Sequence, residues 1–149
     1  MTQTQTAVCT RIASRNAALA DRLWGSVETD HGEEYDRKAR AKGRELCASC
    51  PMLENCLAQA LTGRWRDDRI VGGLTYRERR KLARCVGEGL DVPPRRLGHV
   101  HPNRVAAWIR EHPQSIDIAR DEQRSYWRRT KQANHESRPV GMPAQGTLF

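Results

Sequence analysis

The chain has 149 residues and a net charge of +8, from 26 Lys and Arg against 18 Asp and Glu, and only 25 of its residues are Leu, Val, Ile or Phe. That length suits one ordinary domain or a small domain with a tail and excludes an elaborate multidomain enzyme. An aliphatic and Phe supply of about 17% falls below the roughly 20% at which compact folding becomes doubtful, which excludes a large apolar core and predicts disordered stretches plus an external staple.

The N-terminus reads Thr2, Gln3, Thr4, Gln5, Thr6, without a basic start or an apolar block, and no run of some 18 apolar residues follows anywhere. A cytoplasmic protein with no membrane partner is expected. In that reducing compartment five cysteines favour metal binding, redox sensing or catalysis over permanent disulfides. Ile12, Ala13, Leu19, Leu23 and Trp24 stand near helical spacing and predict one helix over 11–24, ended by Gly25. Residues 26–36 are acidic and almost free of apolar side chains, which predicts an exposed loop holding a solvated His31. A helix is expected over 35–46.

Pro51 suits a first helical position. After it Leu53, Cys56, Leu57, Ala60 and Leu61 recur at three and four until Gly63 stops the helix, so one cysteine lies on the apolar stripe, in the second turn. Ile70 to Leu74 contains paired glycines for a tight turn or a close approach. Thr75 and Glu78 have capping-box spacing for a helix with Leu82, Ala83 and Val86 on its apolar side. From 88 to 102 the chain is rich in Pro, Gly and Arg and reads as a linker. Asn103 is expected to cap a short helix closed by Pro113, and Ser115 to start another. Together residues 103–133 suggest a helical pair or a degenerate helix-turn-helix, with Arg124, Tyr126, Arg128, Arg129 and Lys131 on the reading helix. Trp108 and Trp127 are expected to pack rather than stack on bases. The last dozen residues read as a disordered tail.

Cys47, Cys50 and Cys56 form C-x2-C-x5-C, and Cys9 is separated from Cys47 by 37 residues. The turn brings two sulfurs to one place and the helix can point the third back at it. A fourth ligand from Cys9 is affordable because loop closure costs only slowly more with length. Spacing leaves zinc and an iron–sulfur cluster at even odds. A thiol–disulfide oxidoreductase using Cys47 and Cys50 is a further alternative. Cys85 lies outside the pattern, as a small packed side chain or a disulfide partner in a metal-free state.

Residues 1–63 are charge-neutral, with eight cations and eight anions, whereas 64–149 hold eighteen against ten. A basic half attracts polyanions, of which nucleic acid is the commonest. Arg77, Arg79, Arg80, Lys81 and Arg84 crowd one helix, and Arg95 with Arg96 follow two prolines; the helix is read as tracking phosphates and the pair as lying in a minor groove.

The stretch from Glu45 through Cys47, Cys50 and Pro51 to Cys56 and Leu61, followed by Gly72, Gly73, Leu74, Thr75, Tyr76, Arg77, Glu78, Arg79 and Arg80, resembles the WhiB-like iron–sulfur transcription factors of actinobacteria and their phages. The resemblance covers about residues 9–86. It implies an all-α fold, a small helical domain wrapped around one 4Fe-4S cluster per chain with Cys9, Cys47, Cys50 and Cys56 as ligands. It also implies a redox- or nitric-oxide-responsive regulator, not a metabolic enzyme, that binds DNA and, through a turn matching Val71, Gly72 and Gly73, the C-terminal domain of the RNA polymerase sigma factor. The family usually carries Gly-Trp before the paired glycines; this chain has Ile70 and Val71, and its interval from Cys9 to Cys47 is longer. The expected layout is a cluster domain over 1–87, a linker over 88–102, and a basic, partly disordered helical extension over 103–149. Removing everything after Gly87 is then expected to spare the cluster and weaken DNA binding. A zinc-stapled nucleic-acid-binding module is the remaining competitor.

Overall fold

The computed structural model describes residues 6–138. Within them the fold is all-α apart from one small hairpin, and no helix is long and apolar enough to cross a membrane. The tail reading falls, from residue 139 on, outside the described residues.

The expected first helix is two, α1 (Val8–Arg15) and α2 (Ala17–Trp24). Asn16 divides them. Its backbone is extended, its N–H closes α1 on the Ile12 carbonyl, and its side chain accepts from the Leu19 amide as the cap of α2. An Asn side chain that satisfies an orphan amide outweighs helical periodicity at this point. The acidic loop also differs from expectation: β1 (Val27–Thr29) and β2 (Gly32–Glu34) pair antiparallel, Val27 opposite Glu34, with Gly32 at φ +98° completing the reversal. Thr29 holds that turn through hydrogen bonds with the Gly32 carbonyl and the His31 amide. The hairpin remains largely exposed, as its polar composition requires.

Helix α3 (Arg37–Ala48) is capped by Asp36, whose carboxylate accepts from the Ala39 amide. That bond, and then the Arg22 guanidinium, hold the Asp36 carboxyl below its ordinary range. The chain turns after α3 and enters α4 (Leu53–Thr62), two residues later than Pro51 suggests, so Cys56 sits in the first turn of α4. Gly63 ends α4 as expected. Thr75 and Glu78 form the full capping box of α5 (Tyr76–Leu90), the Thr75 amide donating to Glu78 and the Glu78 amide to Thr75.

Residues 88–102 do not behave as a linker. Helix α5 runs on to Leu90, and Pro94–His99 form a 3-10 helix that buries Leu97. Helix α6 (Pro102–Glu111) begins earlier than expected: His101 caps it by accepting from the Asn103 amide, with Pro102 at the first position. Helix α7 (Gln114–Glu136) packs on α5, and α6 packs on α4. The two helices therefore serve different neighbours instead of forming a helix-turn-helix unit, because each spends its apolar stripe on the central pair. Trp108 packs at the edge of the core and stacks on His112, while Trp127 is exposed beneath the Arg77 guanidinium.

The apolar residues divide into two clusters. The larger joins Leu57, Ala58, Leu61, Leu74, Leu82 and Val86 to Leu97, Val105, Ala106, Ile109 and Ala119, so both sides of the expected linker share one core. The smaller contains only Ala20, Leu23, Trp24 and Ile70, with Cys9, Ile12, Ala39, Leu46 and Cys47 packed against it. Helices α1 to α3 are thus held by very little apolar burial, and two of the residues that complete it are cysteines.

Candidate metal centre and basic groove

The Cys-x2-Cys segment is a tight turn. Cys47 occupies the last turn of α3, its carbonyl accepts from the Cys50 amide at 3.0 Å, and the Cys50 carbonyl accepts from the Leu53 amide at 3.2 Å. Cys56 then follows in the first turn of α4, and α1 carries Cys9 to the same region. All four thiols are free and half-buried. Burial first, and then Cys9, Cys50 and Cys47, push the Cys56 thiol up to about 11. Burial also raises Cys47, against the Trp24 indole N–H and the Gly73 amide, which favour its thiolate; Cys9 and Cys50 add to the rise. The fold therefore places Cys9 in electrostatic reach of the three local cysteines. No three His, Cys, Asp or Glu side chains among the described residues converge closely enough to hold a single metal ion.

The paired glycines form the wall behind Cys47. Gly72 and Gly73 sit at φ +58° and +76° between Val71 and Leu74, which exchange both backbone hydrogen bonds, at 3.0 and 3.1 Å. Two positive φ values in a two-residue reversal are what a type I′ turn demands. Neither glycine tolerates a side chain: a Cβ on Gly72 would stand 2.5 Å from Leu57, and one on Gly73 would stand 2.9 Å from the Arg120 guanidinium and 3.5 Å from Cys47. Both are buried, and only Val71 of this turn is half-exposed. The Gly73 carbonyl accepts from Arg44 at 3.1 Å and Arg120 at 3.3 Å. Arg44 also pairs with Glu78 at 2.9 Å. Gly73 thus turns its amide toward Cys47 and offers its carbonyl, in the next peptide unit, to Arg44 and to Arg120 of α7. Pattern alone gave no sign of Trp24, Arg44 or Arg120 at this site, because they come from three separate helices.

The cations read as DNA contacts fall into two groups. Arg77, Arg80, Arg84, Arg95 and Arg96 are exposed and Lys81 is half-exposed. Arg79 is 2% exposed and donates to the carbonyls of Asp67 and Arg69 at 2.8 Å and of Leu74 at 2.9 Å. Its role is to pin the loop that leads into the glycine turn, and it is not free to reach a phosphate. Cys85 lies on α5 with Glu122 and Glu88 as its acidic neighbours; burial first, then those carboxylates, raises its thiol.

Neither curated proteins nor solved structures provide a match. Residues 5–82, just over half of the chain and including Cys9, Cys47, Cys50 and Cys56, match the family model described as transcription factor WhiB. The chain belongs to the WhiB family of transcription factors, and its role lies in the regulation of transcription.

Proposed function

We propose that this chain is a redox- or nitric-oxide-responsive regulator built around one 4Fe-4S cluster, held by Cys9, Cys47, Cys50 and Cys56. The observation that carries the reading is that Cys9, 37 residues before the local set, packs with Cys47 against the same small apolar cluster. The donor set fits: four unpaired thiols, one for each iron of a cluster. When bound, the cluster supplies four strong links between helices and a centre that reacts with oxidants. The rest is the work of the chain. Trp24 and the Gly73 amide favour the thiolate of Cys47, Arg44 and Arg120 hold the Gly73 carbonyl in the next peptide unit, and Arg120 extends the connection to α7. Dithiol exchange draws no support from the site, since an attacking thiol needs a depressed pKa and burial raises that of Cys47.

DNA is the proposed polyanion, met by the exposed Arg77, Arg80, Lys81, Arg84, Arg95 and Arg96. The C-terminal domain of the sigma factor is the proposed protein partner, approaching on the Val71 side of the glycine turn; family membership supports it. Anaerobic purification with iron, sulfide and zinc assays tests the central point. About four irons per chain are expected, with loss of the brown colour in Cys9→Ser. Stoichiometric zinc, or a full cluster in Cys9→Ser, would overturn the ligand set. Capture of the sigma domain by the holo protein only, and not after cluster removal, is the expected outcome for the partner.

A further inference from the structure

Several of the exposed cations stand in a concavity and not on a protruding surface. Arg64, Arg66, Arg77, Arg80, Arg84 and Arg95 line one groove of about 830 Å³, between the end of α4, the face of α5, the start of the 3-10 helix and α7. No Asp or Glu lines it, and none of the six arginines makes an ion pair among the described residues. Two aromatic rings stand in the same wall, Trp65 at 45% exposure and Tyr126 at 46%. Lys81 lies 5.3 Å from the centre of the Tyr126 ring. Trp65 is set by the backbone: Gly63 ends α4, Arg64 takes a left-handed φ of 54°, and the Trp65 amide returns to the Ala60 carbonyl. One further donor in the lining, Gln123 Nε2, has no hydrogen-bond partner among the described residues, Gln123 being 8% exposed.

A duplex is read by an element that protrudes into its groove, about 12 Å wide and 8.5 Å deep. A cationic concavity with exposed rings is the inverse shape. It suits an unpaired strand, whose phosphates follow the cations while its bases stack on aromatic faces and meet a spare donor. An acidic peptide would satisfy the charge but leave the two rings without flat partners. We infer that this groove binds a short single-stranded stretch of nucleic acid, with Trp65 and Tyr126 as base platforms. The inference rests on the nucleic-acid reading above and specifies the form of its ligand.

The test is fluorescence anisotropy with the full-length, cluster-loaded protein and oligonucleotides of about 12 nucleotides, within the range of known single-strand sites. The probes are oligo-dT, oligo-U and a matched duplex, with heparin and polyglutamate as charge controls. Oligo-dT or oligo-U is expected to bind about tenfold more tightly than the duplex, and the preferred sugar identifies the source of the strand. Trp65→Ala and Tyr126→Ala are each expected to weaken strand binding about tenfold, a typical loss of one stacked base. Neither should change duplex or heparin binding, and Trp65→Phe should restore the strand. Arg80→Ala should reduce the salt slope by about 0.7. Unchanged melting temperature and cluster absorbance show that a variant is folded. Tighter duplex binding that ignores Trp65→Ala overturns the inference and leaves the DNA reading intact. Polyglutamate binding as tight as the strand overturns it as charge attraction only, and absence of binding to every nucleic acid overturns both.

Discussion

Arg79 stands in a helix whose other cations reach solvent, yet it serves three carbonyls of its own chain. Lysine carries the same charge on one point group and cannot span those three acceptors. Arg79→Lys is expected to cost about 2–4 kcal/mol, as buried carbonyls lose charge-assisted bonds. It should leave the salt slope of nucleic-acid binding unchanged, whereas a phosphate contact would lower it. Thermal melting and a salt titration check the two halves. Arg79 was illegible in the sequence because its acceptors lie in an irregular loop with no periodic signature. Thr75 and Glu78 were legible because both partners of a capping box lie within one turn. The same contrast holds among the cysteines. Cys47, Cys50 and Cys56 could be grouped by spacing, while the arrival of Cys9 depends on a break at Asn16 that helical periodicity concealed.

Elements were legible where a stripe and a stop coincided, as in α4 and α5, and misread where composition spoke against burial. The segment from Gly89 to Gly98 has the Pro, Gly and Arg of a linker, but a single Leu97 at the right depth makes it part of the wall of the core. Helix α7 shows what sequence pattern cannot give. Its sparse apolar residues predict some helix, yet its Arg120 reaches the Gly73 carbonyl 47 positions back, and its Gln123 and Tyr126 line the basic groove. The helix therefore touches both Gly73, behind Cys47, and the groove proposed to meet the polyanion. If cluster state is read out through this connection, Arg120→Ala should keep the holo fold, because the lost bond is worth about 1–3 kcal/mol. It should also remove most of the difference in nucleic-acid affinity between holo and cluster-free protein. Parallel titrations of both states check this; a difference as large as in the unsubstituted protein would show that the signal travels elsewhere.

At the scale of the molecule the decisive feature is the split between the two apolar clusters. Helices α4 to α7 and the segments between them share a core of eleven buried residues, whereas α1 to α3 supply three, joined by Ile70 and completed by half-buried residues that include Cys9 and Cys47. Burial of one large apolar side chain is worth about 1.5–3 kcal/mol, so the smaller cluster falls far short of ordering three helices against an entropy of about 1–2 kcal/mol per residue. Metal links of the kind that hold small domains supply on the order of 10 kcal/mol. Removing the proposed cluster should consequently open α1 to α3 and leave α4 to α7 folded. Hydrogen exchange should rise over residues 8–48 and stay low around Leu57, Leu82 and Ile109. The same division decides the outcome of truncation. With 88–102 as a linker, a cut after Gly87 would spare the cluster and weaken only DNA binding, but it removes Leu97, Val105, Ala106, Ile109 and Ala119 from the core that contains Leu57, Leu82 and Val86. Losing even one such side chain costs about 2–5 kcal/mol, a large share of the 5–15 kcal/mol that a whole domain commands. The truncated chain is therefore expected to lose cooperative melting and to bind a hydrophobic dye, with or without iron. A cut after Ser137 should melt like the full chain, since the larger core lies wholly before it. A stable, brown, cooperatively melting fragment ending at Gly87 would show instead that the cysteine-bearing half is an independent unit.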